Sequence, residues 1–400
     1  MLGRLYGPTT PEQETRRSHD PGSGVGLLDR PEPASTELAR TRDEESARPA
    51  ASNPPHSDAL PWRDASPFVF TGSGSEYFGI WIVNLALTVA TLGFYSPWAK
   101  VRRLQYFYGH TSLDGSCFEY LGDPRAILRG RLLAGALLIA YVVLTRLGSV
   151  AALAALVGLG LLLPWLVHRS LRFRLHNSSY RGLRFRFTGS LGEAYQGFLL
   201  GPILVIASLG TLVPALHWSI KCYQFQNARF GTAEFKCSPP LGAFYRAYVA
   251  AGAGTVLSLL AVVAGIGVLV GPTTEESDEM VLANIVVLLF LLLLGRLARL
   301  YINARIQNAV WNHLGVGSRA FSSTVSAGRL VAIDVANLVA VVCTLGLFQP
   351  FAAVRLYKYR LECLTMGPGQ ELDQIAADPD QEIGAGAEET ADAFDVDFGF

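Results

Sequence analysis

The chain has 400 residues, of which 50% are apolar and only 16% are charged. Several long windows carry almost no charge, which is typical of membrane spans and excludes an ordinary soluble globular protein. The net charge of zero hides three regions. Residues 1–66 hold 8 basic and 11 acidic residues, residues 371–400 hold 10 acidic and no basic residues, and the part between holds 25 basic and 12 acidic residues.

The N-terminal segment 1–66 is rich in Pro, Ser, Arg and Glu and shows no periodicity. Such a composition cannot bury enough apolar surface to offset chain entropy, so we predict a disordered tail. A membrane domain is predicted over residues 67–369, and the acidic residues 370–400 are predicted to be a second disordered tail.

The first membrane segment recurs near the end of the chain. Residues 84–108, NLALTVATLGFYSPWAKVRRLQYFY, and residues 337–361, NLVAVVCTLGLFQPFAAVRLYKYRL, are identical at 11 of 25 positions. Each copy is an apolar run that a glycine and a proline interrupt. Because both residue types disrupt helices, we expect helix breaks at these positions, which are Gly93, Pro97, Gly346 and Pro350.

Partial matches elsewhere predict about five copies of one unit. The pair Pro97-Trp98 recurs as Pro164-Trp165, and the pair Leu92-Gly93 recurs as Leu209-Gly210. The units are expected at residues 67–117, 118–184, 185–234, 235–320 and 321–369.

A polar turn and a short alternating run follow the units. Asp114-Gly115 favours a tight turn with positive φ, and runs such as Phe118-Glu119-Tyr120 favour a half-buried strand. The predicted fold is therefore an α-helical polytopic membrane protein. It has about five repeats of a membrane helix or helical hairpin, each followed by a short cytoplasmic β-hairpin.

Topology follows from the loops, because basic residues collect on the cytoplasmic side of membranes. If every apolar window crossed fully, the basic loop near Lys221 would lie opposite the one near Lys100. The charge bias is satisfied best if units two and four are full hairpins while units one, three and five return to the side they entered. The acidic residues 275–279 then face outward, and both tails are cytoplasmic. The alternative is that Thr-Leu-Gly ends an ordinary span near the interface.

The pattern of residues 70–78, FTGSGSEYF, followed by residues 91–98, TLGFYSPW, and by Leu113-Asp114-Gly115, resembles the YjgN-like family of bacterial inner-membrane proteins. The similarity covers roughly residues 67–365. It implies a multi-pass protein of the bacterial cytoplasmic membrane in a family of unknown function. The resemblance supplies no catalytic residues.

Three polar residues lie inside apolar segments, where such groups are candidates for function. Asp334 and Asn337 share a helix face because they are three residues apart, and Asn84 is the counterpart of Asn337 in the first unit. If units one and five pack together, these groups could line a polar track with Asp334 as its titrating member. The alternatives are that Asp334 lies at the interface and that the asparagines bind helix to helix.

Basic residues beside the breaks could bind anionic lipid head groups or a cytosolic partner of unknown identity. Their alternative interpretation is ordinary anchoring at the cytoplasmic side. They are dispersed over several loops, so a nucleic-acid surface is not indicated. The positions are Lys100, Arg102, Arg103, Arg169 and Arg355.

The chain contains no nucleotide-binding, metalloprotease or serine-hydrolase motif, and its five cysteines show no metal-ligand spacing. We therefore expect no enzyme, no cofactor and no metal. Two hypotheses remain. Repeats and broken helices favour a transporter or channel for a small solute or ion. Basic hairpin loops and long tails favour a non-transporting membrane scaffold or lipid-interacting protein.

Overall fold

The computed structural model describes residues 65–270, 278–369 and 375. Within these residues helices alternate with short antiparallel strands. The strands are β1 Ser66–Pro67, β2 Val69–Phe70, β3 Thr111–Leu113, β4 Ser116–Tyr120, β5 Ser178–Tyr180, β6 Leu183–Phe187, β7 Ala228–Phe230, β8 Ala233–Cys237, β9 Leu314–Val316, β10 Arg319–Ser323 and β11 Leu364–Met366.

Four of the predicted β-hairpins occur among the described residues, whereas the fifth unit ends in the single strand β11. In the first, β3 pairs with β4 through Ser112 and Cys117, and the turn residues Asp114 and Gly115 have φ of 48° and 75°. Two successive residues with positive φ match the twist of the flanking strands, which is why Asp-Gly is favoured there. The alternating run is also as predicted, since Glu119 is exposed between the half-buried Phe118 and the buried Tyr120.

The hairpins are not separate, as the local patterns suggested, but form one sheet of eleven strands in the order β1-β11-β10-β9-β8-β7-β6-β5-β4-β3-β2. Its two outer strands, β1 and β2, are separated only by Phe68, whose amide donates to the carbonyl oxygen of Leu364 at 3.2 Å. One extended segment thus pairs with both β11 and β3. The sheet therefore closes into a barrel-like ring without a free edge.

Aromatic side chains fill the inner face of this sheet. Phe118 packs on Tyr180 with ring centroids 4.6 Å apart, and Phe185 packs on Phe230 at 5.0 Å. Phe244, which is fully buried, adds to the same cluster from a helix. The alternating inward residues of short strands thus make one hydrophobic core.

The helices come in pairs between the strands. They are α1 Gly74–Ala90, α2 Ser96–Gly109, α3 Pro124–Arg146, α4 Ser149–His176, α5 Leu191–Tyr195 with a π-helical turn Gln196–Leu200, α6 Gly201–Ala207, α7 Val213–Gln226, α8 Leu241–Val270, α9 Asp278–Trp311, α10 Ala327–Cys343 and α11 Gln349–Glu362.

Each helix pair starts and ends on the one sheet. For example, β2 precedes α1 and β3 follows α2, and these two strands pair with each other. The second helix of each pair contacts the first helix of the next pair, and α11 contacts α1, so the helices also form a closed ring.

The pairs differ in length. In the part of the chain that the structure describes, four helical segments are long and apolar enough to cross a membrane, at Pro124–Arg146, Ser149–His176, Leu241–Val262 and Ile285–Trp311. The chain is thus a largely helical membrane protein. The remaining pairs have shorter helices, such as α1 with 17 residues and α2 with 14 residues.

Three predictions concern residues outside the described ranges. The two tails, except for a few residues beside the sheet and Ile375, lie there, and so do residues 275–277 of the acidic segment expected on the outer face.

Candidate functional site

The helix breaks at Gly93 and Gly346 are built alike. Helix α1 ends at Ala90 and α2 begins at Ser96, and the Gly93 amide donates to the carbonyl oxygen of Thr88 at 2.8 Å, a bond typical of a Schellman ending. The Thr91 hydroxyl donates to the carbonyl oxygen of Leu87 at 2.7 Å and accepts from the Tyr95 amide at 2.9 Å. Each residue of Thr-Leu-Gly therefore has a local task in reversing the chain.

The leucine of each break is strained and exposed. Leu92, Leu209 and Leu345 have φ of 49°, 51° and 50°, and 94%, 94% and 95% of their surface is accessible. A left-handed conformation costs about 1 kcal/mol or more for a residue with a Cβ. The predicted prolines Pro97 and Pro350 follow in the next helix and are fully buried.

Asp334 forms an ion pair that sequence analysis missed. Both of its oxygens accept hydrogen bonds from Arg296 of α9, at 2.6 Å from Nε and 2.8 Å from Nη2. Asp334 is 4% exposed, and Ser326 caps the start of its helix, α10. Arg296 follows directly on the apolar window 281–295, and its place at the end of that window was the available signal.

Asn337 contacts the other neighbouring helix. Its side-chain oxygen accepts from Nη1 of Arg355 at 3.1 Å, and its amide donates to the carbonyl oxygen of Ala352 at 3.3 Å. Asp334 and Asn337 thus tie α10 to α9 and α11. Asn84 does not join them through its side-chain oxygen, which is buried without a hydrogen-bond partner among the described residues.

The candidate lipid-facing residues lie along the second helices. Arg102, Arg103 and Arg355 are exposed, whereas Lys100 is half-buried. Arg169 is also half-buried and stands 5.8 Å from the Trp165 ring. Arginine over tryptophan is a common arrangement at membrane interfaces.

A second polar cluster lies nearer the sheet. Arg174, Gln224 and Arg360 each stand three residues before the C-cap of their helices, α4, α7 and α11, and Lys221 lies one turn before Gln224. These four residues form what we call the cationic cluster. Helices α7 and α11 belong to pairs that are not neighbours in the ring, yet the charge of Arg360 on α11 acts on Lys221 of α7.

Burial and the charges of Arg174 and Arg360 lower the pKa of Lys221 to about 8. Both of these groups are cations, and the lysine is partly buried. Gln224 is 4% exposed, and neither its amide nitrogen nor its amide oxygen has a hydrogen-bond partner among the described residues. Sequence analysis counted Lys221 as a loop residue, because nothing local shows that three helices bring their charges together.

Lys221→Met is expected to raise the free energy of unfolding by about 2 kcal/mol below pH 8, since each pKa unit corresponds to about 1.4 kcal/mol and partial exposure reduces the effect. The folded-state pKa is lowered to about 8 from 10.5. The wild type therefore gains stability as pH rises between these values, and the advantage of methionine shrinks over that window. Chemical unfolding in detergent at several pH values measures this difference in the free energy of unfolding between the variant and the wild type.

The matched control is Lys236→Met, because Lys236 is exposed on β8. We expect it to change stability by about 0.5 kcal/mol or less at each pH. An equal gain for both variants, or a gain at Lys221 that does not depend on pH, would contradict the proposed cause.

The described residues contain no cluster of three or more His, Cys, Asp or Glu side chains that could hold a metal ion. The features that remain in the described residues are strained apolar turns, exposed arginines on the second helices, and the partly buried cationic cluster.

Known proteins resemble the chain in sequence. It is 32% identical over 151 residues to the inner membrane protein YjgN of Escherichia coli O157:H7, covering 36% of this chain and 37% of the relative. YjgN of Salmonella typhimurium LT2 is 32% identical over 142 residues, covering 35% and 36%. The match thus spans little more than a third of these relatives. No solved structure matches the chain. The model of a family described as bacterial protein of unknown function, DUF898, matches residues 65–393, and the chain belongs to that family.

Proposed function

We propose that the chain is a lipid-interacting scaffold of the bacterial inner membrane, in which two long helical hairpins cross the bilayer and three short ones insert part-way from the side of the sheet. The observation that carries the proposal is the exposed, strained leucine at each short break. The relatives named inner membrane protein support the location. We also infer that the five helix pairs are copies of one unit.

Length supports this arrangement. At 1.5 Å per residue, the 17 residues of α1 extend about 25 Å and the 14 residues of α2 about 21 Å, against a hydrocarbon core of about 30 Å. The 28 residues of α4 extend about 42 Å. A short pair that starts and ends on the sheet would therefore return within the membrane.

The turns themselves are suited to lipid. In water, Leu92 would expose its whole side chain while holding an unfavourable φ. Contact with hydrocarbon stabilises a leucine side chain by about 1.5–3 kcal/mol, and this gain exceeds the energy of the backbone strain. Phe94 and Leu347, which are 62% and 52% exposed, extend the apolar surface around two of the three turns.

The positions of Arg102 and Arg355 indicate how deeply the turns of the short helix pairs enter the leaflet. Ser96, at the start of α2, lies six residues before Arg102, which corresponds to about 9 Å along the helix. With the exposed guanidinium of Arg102 at the head groups, the Leu92 turn reaches about 10 Å into the leaflet, a depth typical of interfacial helices. Arg355 stands six residues after Gln349, at the start of α11, and matches this depth. Anionic head groups would be attracted to both residues.

Fewer observations support the hypothesis that the protein is a transporter. It needs a wet cavity at the helix breaks, where irregular backbone can be hydrated. The breaks present apolar side chains instead, Asp334 is held by two hydrogen bonds, and aromatic rings fill the sheet. Because the loops on the side of the sheet are basic, and basic loops collect at the cytoplasmic side of membranes, the proposal places the sheet at the cytoplasmic face.

Two native cysteines allow a test. Cys343 is exposed beside the third break, and Cys117 is exposed on β4. The other three thiols react slowly because burial raises their pKa, to about 11 for Cys222 and about 12 for Cys237, and in the same direction for Cys363. Labelling of the Cys117→Ser variant therefore reports the accessibility of Cys343, and labelling of the Cys343→Ser variant reports the accessibility of Cys117.

We expect Cys117 to react with a membrane-impermeant maleimide in inverted vesicles but not in intact spheroplasts. Cys343 should stay unreactive in both preparations and react only after denaturation in SDS, since lipid covers it. Labelling of Cys343 in spheroplasts would mean that the short pair crosses the membrane. Labelling of Cys343 in inverted vesicles as fast as Cys117 would mean a hydrated break and favour transport.

A further inference from the structure

We propose that a groove between α1 and α2 binds one phospholipid molecule by its phosphate and the upper part of an acyl chain. The groove has a volume of about 460 Å³ and is lined by Gly79, Ile80, Val83, Arg102, Gln105 and Tyr106. Volumes of this size are typical of ligand sites. The inference rests on the proposed function, which places Arg102 at the head groups, and it adds one defined lipid site to the general attraction of arginines for that layer.

The polar side of the groove has two side chains that can bind a ligand. Arg102 and Gln105 are three residues apart, so they share a face of α2, and both are exposed. Neither forms a hydrogen bond or an ion pair with another described residue. Glu76, the only acidic residue of α1 and α2, instead accepts from the hydroxyl of Tyr106 at 3.3 Å. The guanidinium can therefore bind two phosphate oxygens, and the Gln105 amide can donate to a third.

The corresponding arginine near the end of the chain is bonded within the protein. In the 25-residue match, Arg102 aligns with Arg355 and Asn84 aligns with Asn337. Nη1 of Arg355 donates to the side-chain oxygen of Asn337 at 3.1 Å, whereas the side-chain oxygen of Asn84 is buried without a partner among the described residues. Leaving a buried oxygen unpaired costs free energy. A ligand that holds the guanidinium of Arg102 in the groove explains why this arginine does not bond to Asn84 as its counterpart bonds to Asn337.

The apolar side of the groove leads toward the break between the helices. Gly79 and Val83 are four residues apart on α1, and Leu87 lies one turn further along the same face. Val83 and Leu87 are exposed. Gly79 leaves the groove open, since a Cβ added there would meet no atom within 4 Å. An acyl chain can thus follow α1 toward Leu92 while its phosphate stays beside Arg102.

The experiment is isothermal titration calorimetry of the full chain in non-ionic detergent, with water-soluble dihexanoyl phosphatidylglycerol as the probe. We expect saturable binding of one lipid per chain. Arg102→Gln should weaken binding about tenfold or more, the range for losing a hydrogen bond between charged groups. Gly79→Leu should weaken binding by a similar factor, because the new side chain fills the groove. Its thermal stability should stay equal or rise, since leucine favours helix more than glycine does.

Matched controls separate the groove from a general attraction to lipid. Arg103→Gln removes an exposed charge next to Arg102 but outside the groove lining, and Gly254→Leu adds a leucine at an exposed glycine of α8. Both variants should bind like the wild type. Glycerol 3-phosphate, which carries the phosphate without acyl chains, should bind at least about tenfold more weakly than the lipid, because chain carbons add to membrane-type affinity.

The proposal is wrong if the wild type shows no saturable binding, if Gly79→Leu binds like the wild type, or if either control variant binds as weakly as Arg102→Gln. Equal affinities for glycerol 3-phosphate and the lipid would also contradict it. Failure of the scaffold proposal is a separate result, because the maleimide reactivity of Cys343, which is outside the groove lining, detects it. If Cys343 is protected and the lipid does not bind, only the groove is ruled out.

Discussion

Replacing Arg296 with methionine is expected to lower the free energy of unfolding by about 3–5 kcal/mol, the range for breaking a buried ion pair from one side. Asp334 is 4% exposed and has both oxygens bonded to this guanidinium, at 2.6 and 2.8 Å. Without Arg296 its carboxylate stays buried between α9 and α10 with its main counter-charge removed.

The reverse substitution should cost less. In Asp334→Asn the group left behind is Arg296, whose side chain is 49% exposed and can turn toward water or lipid head groups. We expect a loss of about 1–2 kcal/mol, typical of one hydrogen-bonded pair. The double variant Arg296→Met/Asp334→Leu should recover most of the stability, because apolar residues can replace a buried pair.

Unfolding in detergent of the wild type, both single variants and the double variant measures these differences in stability. Arg299→Met is the control, since Arg299 is exposed one turn further along α9, and its effect should be about 0.5 kcal/mol or less. Equal losses for the two single variants, or a double variant no better than Arg296→Met, would show that the pair does not hold α10 in place.

Local features of the fold were predictable because neighbouring residues cause them. Asp114-Gly115 makes a tight turn through its own φ angles, and Phe118-Glu119-Tyr120 alternates between inside and outside. Thr91, Leu92 and Gly93 close the end of α1 with bonds that span five residues at most. Such bonds need no knowledge of the rest of the chain.

Non-local features were out of reach for a physical reason. Ser66, in the first strand, pairs with Met366, in the last, and a two-residue strand carries no signal that names its partner. Asp334 was predicted as a candidate polar position in the membrane, but its partner lies 38 residues away on another helix. The cationic cluster depends on the ring bringing three helix pairs together, and one sequence cannot reveal that closure.

Phe68→Ala is expected to destabilise the protein by about 3 kcal/mol, at the lower end for a buried phenylalanine because the side chain lies near the start of the sheet. Phe68 is 7% exposed, and its ring lies 6.3 Å from that of Phe118 and 6.4 Å from that of Phe321. These rings belong to β4 and β10, on the two sides of the closure.

The effect should be local as well as global, because Phe68 alone joins β1 to β2. Hydrogen exchange in detergent should become faster at the amides of residues 364–366, whose strand pairs with β1, before it does in β5–β8 on the far side of the ring. Val69→Ala is the control, since its side chain is 45% exposed, and it should cost about 0.5 kcal/mol. If the two substitutions have equal effects, the first strand is an edge added to an open sheet. A selective effect of Phe68 means that the ring is held shut by one aromatic residue, so that the helix ends carrying Lys221, Arg174 and Arg360 keep their mutual positions only while the sheet stays closed.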